Sequence, residues 1–522
     1  MAFNSYGFTL IFLPLVWLAY QLAARFAGRR GRLLVVIASG MAFYALASAW
    51  ALPILLASLL GNFAIARLIS ASQSPTRHRW LMLGVGANVL ALMVFKFTGF
   101  VSDNLVWMGV EPLLFRDLAL PLGISFFTFQ QISLLVDLAR GMVTRVRPLT
   151  YLASILFFPY LVSGPITYFR EFAPQVEDEP GQAPRRVASD AMAGLTLFAI
   201  GLFKKAVLAD TLALWVDPLF SDVAAGHRPV IAQAWAMVLG YLLQMYFDFS
   251  GYSDMAAGCA RLLGVRLPLN FYSPMRVTSI LEWWRRWHMS LGRFVNDYVF
   301  QSLALPLTRM AAMRGFGRWG ATVLGVLLPT AIAMFVIGAW HGGNWTFMVF
   351  GLLHAFYMVV AEAWLFWRKR RKRKGAPQPS PLAVRLAQVR GNLLTMLCVL
   401  IALAPFRAAD MGTALRLWAG MAGFDHGAAW LEWPVLTPVG GALVAAELAV
   451  SLLIVYCLPN TAQLLDRLEP ALTFAGSEKL TRGFFALRWR AGVMWGMAVG
   501  MMLLIGLAFI SRGGNSFVYF GF

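Results

Sequence analysis

A histidine at a glycine-rich break between two apolar runs is the residue best suited to acid–base chemistry in this chain. His341 stands in the sequence GAWHGGNW, residues 338–345. If the two runs cross a membrane, an ionisable side chain there is costly and is usually functional or faces a water-filled cavity. A neutral imidazole in such a place can accept a proton from a hydroxyl group. His341 is therefore a candidate general base, and the alternative is a packing histidine bonded to a carbonyl of the next helix.

A second histidine lies in a cluster of tryptophans and arginines. His288 ends the sequence EWWRRWH, residues 282–288, in which Arg285 and Arg286 are adjacent. Guanidinium groups bind phosphates through paired hydrogen bonds, so this cluster could hold the phosphorylated handle of a cofactor. The alternative is an interfacial aromatic belt with lipid-binding arginines. A third histidine, His354, lies on an otherwise apolar helix, so we expect it to be structural or to support the site indirectly rather than to be catalytic.

Two further groups of charged residues occur beside apolar runs. Lys204 and Lys205, in GLFKK, could bind phosphate, although a lysine beside an apolar helix commonly extends its amine to the interface. Asp248 and Asp254, in YFDFSGYSD, are expected to pair with cytoplasmic arginines such as Arg285 in a structural role. The cationic candidates for a phosphate site are Arg285, Arg286, Lys204 and Lys205.

The remaining histidines and the cysteines predict no further chemistry. The other histidines fall in predicted loops: His78, His227 and His426. The cysteines are far apart in the chain: Cys259, Cys398 and Cys457. Because they form no CxxC pattern and no Cys/His cluster, we expect packed thiols, with neither a metal site nor a disulfide framework.

The composition indicates that a membrane protein holds these residues. Of 522 residues, 59% are hydrophobic and 13% are charged, and the mean hydropathy is +0.67. Such a chain is too apolar for a soluble, disordered or fibrous protein, so we predict an all-α, polytopic membrane protein. The 44 Lys and Arg outnumber the 24 Asp and Glu, but they occur in short tracts between apolar runs. This pattern is typical of membrane topology and contact with lipid headgroups, and it predicts no nucleic-acid partner.

Apolar runs long enough to cross a bilayer as helices recur along the chain. They lie near residues 5–24, 33–50, 51–70, 80–100, 118–138, 190–216, 230–249, 319–340, 344–366, 391–406, 438–458 and 491–511. The first loop, residues 25–32, is strongly basic, which places it in the cytoplasm and the N-terminus outside. By the same alternation we expect Arg370 and Arg488 to be cytoplasmic and Phe522 to be extracytoplasmic.

Two segments do not fit simple spans. Residues 148–169 carry no charge but contain three prolines, which predicts an interrupted or re-entrant segment. Residues 276–301 are too charged to span and too rich in tryptophan for a free loop, so we expect an amphipathic or re-entrant helix at the cytoplasmic face. The basic stretch 368–381 is the only linker-like segment, so residues 1–522 are predicted to form one membrane domain.

Several short motifs follow one another along most of the chain. They are FTLIFLP (residues 8–14), PLGISFFTFQ (121–130), FP (158–159), SGPI (163–166), GLFKK (201–205), FDFSGYSDMA (247–256), WRRWH (284–288), WHG (340–342) and YFGF (519–522). Each motif alone is weak, but the ordered set is specific. It resembles the membrane-bound O-acyltransferase family, above all the bacterial branch that contains the membrane acetyltransferase of alginate O-acetylation.

This resemblance implies both a fold and a chemistry. It implies a ring of transmembrane helices, about 11 to 12 by the count of apolar runs, with re-entrant and amphipathic segments around a central funnel. His341 maps onto the catalytic histidine of the family, and His288 onto a second histidine toward the cytoplasmic side. The implied donor is a cytoplasmic thioester, acetyl-CoA, with no tightly bound cofactor. The implied acceptor is an extracytoplasmic polysaccharide such as alginate, reached from the bacterial inner membrane through a periplasmic partner.

Two alternatives stay open on the sequence. Within the same family, the reaction could be D-alanyl transfer toward teichoic acid, with a phosphopantetheine on a carrier protein as donor. From a different class, a transporter or flippase could use the buried histidines as a proton relay. The absence of Asp and Glu from most predicted span centres argues against the transporter.

Overall fold

Helices make up the core of this protein. The computed structural model describes residues 1–113, 118–177, 187–371, 380–424, 438–472, 487–511 and 517, and no strand occurs within these ranges. Within them, eight helical stretches are long and apolar enough to cross a membrane. The protein is therefore an all-α, polytopic membrane protein, as the composition predicts.

The first half of the described chain alternates long apolar helices with short buried ones. Its helices are α1 (Leu13–Phe26), α2 (Gly28–Ser48), α3 (Leu52–Ala71), α4 (Thr76–Trp107), α5 (Ile124–Ala139), α6 (Pro148–Ile155), α7 (Phe158–Leu161), α8 (Phe169–Val176), α9 (Val187–Phe203), α10 (Asp210–Ala224) and α11 (Ile231–Leu262). A π-helical turn, Lys204–Ala209, joins α9 to α10.

The second half contains a broken central region followed by further long helices. Its helices are α12 (Ile280–Trp284), α13 (Met289–Val295), α14 (Gln301–Met313), α15 (Arg318–Thr322), α16 (Leu328–His341), α17 (Trp345–Arg371), α18 (Pro381–Arg407), α19 (Met411–Ala422), α20 (Pro438–Cys457), α21 (Thr461–Leu464) and α22 (Val493–Phe509). Helices α16 and α17 form an antiparallel pair that carries His341 at its turn.

All of the predicted spans coincide with helices, but three of them are not among the eight candidate spans. Two are short apolar helices, α5 and α22, and the third is α11, which is long but carries polar residues in its second half. The structure thus confirms where the helices lie. The ring of 11 to 12 spans around a funnel stays a prediction.

The uncharged segment 148–169 is interrupted and buried, as the prolines predict. Helix α6 ends at Ile155, α7 occupies only Phe158–Leu161, and an extended stretch follows until α8 begins. The side chains of Phe157 and Phe158 are fully buried. Non-helical backbone at this depth is tolerated because surrounding protein covers it.

The segment 276–301 differs from the single amphipathic or re-entrant helix that the sequence predicts. It forms two short helices, α12 and α13, and the turn between them places His288 in the left-handed region with φ of 45°. The tryptophan side chains of this segment are buried in the protein: Trp283, Trp284 and Trp287. An interfacial aromatic belt would expose these rings to lipid, so the burial contradicts that alternative.

Paired glycines bring the helices near the site into close contact. A Cβ atom at Gly338 of α16 would lie 2.6 Å from the Cα of Gly351 in α17. A Cβ atom at Gly201 of α9 would lie 2.5 Å from the carbonyl oxygen of Gly251 in α11. Small residues at both positions let the backbones approach, which sets the distance between the side chains farther along each pair.

Candidate functional site

His341 is the last residue of α16, where two glycines turn the chain toward α17. A Cβ atom at Gly343 would lie 2.9 Å from the backbone oxygen of Lys96, and one at Gly342 would lie 2.8 Å from the ring of Phe347. The glycines are therefore required by the close approach of α4 and α17. A larger residue at Gly343 would collide with the backbone of α4 next to His341.

Aromatic rings surround the imidazole of His341. The side chain is 7% exposed, and its ring centroid lies 4.8 Å from that of Phe406 and 6.0 Å from that of Phe350, both in edge-on contacts. Little water can reach the ring through these contacts. Such a low-dielectric setting strengthens the electrostatic interactions of any charge that forms there.

His288 is held at the turn between α12 and α13 by polar and aromatic contacts. Its Nδ1 atom lies 3.0 Å from Oδ1 of Asn270, and its ring packs edge-on against Phe249 at 4.7 Å. Burial lowers the pKa of the His288 imidazole to about 3. The ring is therefore neutral near pH 7.

The structure brings the two predicted histidines together. Both line a small cavity of about 30 Å³, with His354 as a third histidine in its wall; we call it the histidine cavity. Trp340 contacts both rings, at centroid distances of 4.9 Å to His341 and 6.1 Å to His288. Residues 53 positions apart in sequence numbering thus share one wall of the protein interior.

A second cavity, of about 130 Å³, reaches His341 past a lysine. We call it the lysine cavity, because Lys96 lines it together with Ser125 and Ser163. Among the described residues, His341 is the only one that lines both this cavity and the histidine cavity. The imidazole consequently stands where two separate spaces meet.

A third and larger cavity, of about 570 Å³, is lined by both charged and apolar side chains. We call it the arginine cavity, since Arg285 lines it together with Glu362 and apolar residues of α16 such as Ile337. Of the described residues, Trp284 alone lines both this cavity and the histidine cavity. The indole Nε1 donates a hydrogen bond of 3.2 Å to Nδ1 of His354, which fixes the ring between the two spaces.

The two adjacent arginines point to different surroundings. Arg285 is exposed and lines the arginine cavity. Arg286 instead forms an ion pair of 2.6 Å with Glu282, one helical turn earlier, and its guanidinium lies over the ring of Tyr272. Only Arg285 of this pair is thus placed to contact a molecule in that cavity.

The two lysines of GLFKK form ion pairs within the protein. Lys204 lies 2.7 Å from Asp254, and Lys205 lies 2.7 Å from both Asp248 and Asp210. The expectation that arginines of the WRRW cluster pair with these aspartates is therefore wrong. The Gly201–Gly251 contact brings α9 against α11, and this places the lysines beside the carboxylates.

Two residues of the site escape the sequence analysis. Lys96 lies within the apolar run 80–100, where its charge could have been noticed as costly. Its ammonium group contacts the carbonyl oxygens of Trp340 and His341 and lies 5.2 Å from the Trp340 ring centroid. Asn270 has no comparable signal, because a lone asparagine in a loop is common.

The other singled-out residues lie away from the histidines. His78 is exposed in the first turn of α4, not in a loop, and His227 is exposed in a loop as expected. His426 lies outside the described residues. The thiol of Cys259 is buried and free, and in the described parts of the chain no group of three His, Cys, Asp or Glu side chains could hold a metal.

The two buried histidines line cavities inside a bundle of long apolar helices. Residues 78–401, more than half of the chain, match the model of "MBOAT, membrane-bound O-acyltransferase family". The chain belongs to this family. It is therefore an O-acyltransferase, and this family assignment argues against the transporter alternative.

Relatives with assigned names extend this similarity over most of the chain. The chain is 33% identical over 458 residues to the peptidoglycan O-acetyltransferase of Helicobacter pylori, covering 81% of this chain and 80% of that protein. It is 34% identical over 433 residues to the "Probable alginate O-acetylase AlgI" of Azotobacter vinelandii, covering 81% and 78%. A teichoic acid D-alanyltransferase of Streptococcus thermophilus is 28% identical over 283 residues, covering 53% of this chain and 66% of that protein.

Proposed function

We propose that this protein moves acetyl groups from acetyl-CoA in the cytoplasm toward an extracytoplasmic polysaccharide such as alginate. The position of His341, between the lysine cavity and the histidine cavity, is the observation that carries the proposal. Donor and acceptor can approach one imidazole from different spaces, so the acyl group can cross without its carrier. The names of the relatives favour acetyl as the acyl group.

In this proposal His341 is the general base. Its imidazole takes the proton of the acceptor hydroxyl as the oxygen attacks the thioester carbonyl, and the new C–O bond forms. The tetrahedral intermediate then collapses, the C–S bond breaks, and the imidazolium returns its proton to the departing thiolate. The amide of Gly342 is bonded to the Ala339 carbonyl at 3.2 Å, so the Gly343 amide is the better candidate to stabilise the oxyanion.

The arginine cavity is the proposed entrance for the donor. Arg285 would meet the phosphates of coenzyme A, and the apolar wall of α16 leads from there toward His341. The indole of Trp284 lies between the arginine cavity and the histidine cavity. The donor must therefore displace this ring to bring its thioester carbonyl to His341. The other cationic candidates, Arg286, Lys204 and Lys205, form ion pairs with carboxylates and do not line this cavity.

The proposed setting follows the distribution of charge. We place the chain in the bacterial inner membrane as one domain of residues 1–522, with both termini outside and the basic loop 368–381 in the cytoplasm. A periplasmic acetyltransferase-like partner would receive the acetyl group and pass it to the polymer. The remaining partner in this proposal is the membrane lipid around the helices.

The test uses sealed membrane vesicles that contain the wild-type protein or His341→Gln and that keep the polymer and the periplasmic contents of the cells on the side opposite the cytoplasmic face. Acetyl-CoA labelled in the acetyl group is added on the cytoplasmic side, and free coenzyme A and labelled external polymer are measured. We expect both products with the wild type and neither with the variant. Labelled peptidoglycan would identify peptidoglycan as the acceptor in place of alginate. Dependence on a D-alanyl carrier protein, with no use of acetyl-CoA, would refute the proposal.

A further inference from the structure

We propose that Asn270 is a positioning residue that holds neutral His288 as its Nδ1–H tautomer. The other ring nitrogen, Nε2, then presents its lone pair toward the histidine cavity. The kinetic part of this inference rests on the proposed acyl transfer, whereas the tautomer itself is a property of the resting protein.

The orientation of the Asn270 amide follows from its partners. The backbone N–H of Ser290 and the Ser290 hydroxyl both point to Oδ1 of Asn270, at 3.4 Å and 2.9 Å. A backbone N–H can only donate, so the atom facing it must be the amide oxygen. On the other side, Nδ2 donates a hydrogen bond of 2.9 Å to the hydroxyl of Ser253.

The tautomer of His288 follows from that orientation. Nδ1 of His288 lies 3.0 Å from the same amide oxygen, which can only accept a hydrogen bond. Nδ1 must therefore carry the hydrogen. A neutral imidazole has a single N–H, so the lone pair remains on Nε2.

The surroundings leave this arrangement little freedom. The exposed fractions of Asn270, Ser290 and His288 are 3%, 1% and 2%, so water does not compete for these hydrogen bonds. The backbone N–H of Met289 donates a hydrogen bond of 2.9 Å to the carbonyl of Asn270, which holds these two segments of the backbone together. The imidazole ring is thus fixed at both its backbone and its Nδ1 edge.

The lone pair has a consequence for the reaction. Asn270 is not part of the wall of the histidine cavity, whereas His288 and His341 both are. Because Nδ1 is bound to Asn270, we infer that Nε2 is the ring nitrogen on the side of that cavity. A lone pair there favours the positive charge that His341 gains when it accepts the hydroxyl proton, whereas an N–H group would oppose it.

Nitrogen NMR of the full-length protein in lipid nanodiscs tests the tautomer directly. The histidines carry an isotope label, and His288 is assigned by the signal that disappears in His288→Gln. We expect the signals of a neutral ring with hydrogen on Nδ1. An Nε2–H signal in the wild type would overturn the proposal, and this readout needs neither a variant of Asn270 nor any turnover.

Variants around Asn270 separate positioning from packing. We expect Asn270→Leu to lose the Nδ1–H signal and to lower kcat by about 10²-fold, with donor KM unchanged, because a displaced catalytic group costs that much. Asn270→Asp supplies an oxygen at the same place and should restore the signal and part of kcat. Ser253→Ala is the matched control, since it removes only the Nδ2 contact.

Other outcomes would refute the role of Asn270. If Asn270→Leu keeps the Nδ1–H signal, another group sets the tautomer. If the signal is lost while kcat of the folded variant stays at the wild-type value, the tautomer does not matter for the reaction. If acetyl-CoA proves not to be the donor, the NMR result still decides the tautomer, so the two proposals fail separately.

Discussion

The ammonium group of Lys96, in α4, lies 3.4 Å from the backbone carbonyl oxygen of His341. It also contacts the carbonyl oxygen of Trp340. The last carbonyls of a helix have no partner within it, and a cation near them interacts favourably with the helix dipole. Lys96 thus caps the helix that carries the candidate base, and its charge lies within a membrane-spanning helix where it would otherwise be costly.

Removal of this cap should lower the rate of the reaction. We expect Lys96→Met to reduce kcat by about 10-fold or more, which corresponds to losing a charged hydrogen bond of about 1.5–3 kcal/mol. Lys96→Arg keeps the charge and should recover part of kcat. Release of coenzyme A from acetyl-CoA measures both variants, and full activity of folded Lys96→Met would show that α16 needs no such cap.

Replacement of His341 should separate chemistry from folding. We expect His341→Ala and His341→Gln to insert and to elute as monodisperse protein, because the residue stands at a glycine-rich turn. Acetyl transfer should fall by about 10²–10⁴-fold, as is typical when a general base is lost. Glutamine retains hydrogen bonding but cannot take a proton near neutral pH, so substantial transfer by His341→Gln would move the base assignment to His288.

The neighbouring arginines should respond differently to the same substitution. Arg285→Gln should raise the donor KM by about 10-fold or more, because a phosphate contact of about 1.5–3 kcal/mol is lost. Arg286→Gln is the matched control, since that side chain is bound to Glu282, and it should reduce the yield of folded protein with donor KM unchanged. An unchanged donor KM in Arg285→Gln would show that the donor does not bind in the arginine cavity.

The buried ion pairs of Lys205 should matter for stability. Lys205→Met leaves the carboxylates of Asp248 and Asp210 without this cation, and breaking a buried pair costs about 3–5 kcal/mol. We expect lower thermal stability in detergent and unchanged donor KM. Adding Asp248→Asn and Asp210→Asn should restore part of the stability. A stable Lys205→Met protein with raised donor KM would instead support a phosphate contact.

Reporter fusions should decide the topology that the basic loops predict. Fusions after Arg370 and Arg488 are expected to report the cytoplasm, and a fusion after Phe522, which lies outside the described residues, the extracytoplasmic side. Cytoplasmic signal at Phe522 would mean that one helix counted as a span does not cross. Helix α5 would be the first helix to test for a failure to cross, because it is among the shorter apolar helices.

The sequence by itself determined the class of the protein, the positions of its long apolar helices and the break at His341. These features are readable because they depend on local properties: apolar runs must satisfy their own backbone hydrogen bonds in lipid, and glycines and prolines interrupt helices. The uncharged segment 148–169 and the α16–α17 turn follow from such patterns. The motifs likewise gave the family, since their order is written in the chain.

Only the tertiary structure decided which side chains meet. Lys96 reaches His341 across 245 residues of chain, and Lys204 reaches Asp254 across 50. Such partners depend on which helices pack together and how closely, and the glycine contacts between α9 and α11 set that distance only in the folded protein. Adjacent residues can also diverge: Arg285 lines a cavity while Arg286 binds a carboxylate, because both lie in the turn that follows α12 and their side chains leave it in different directions.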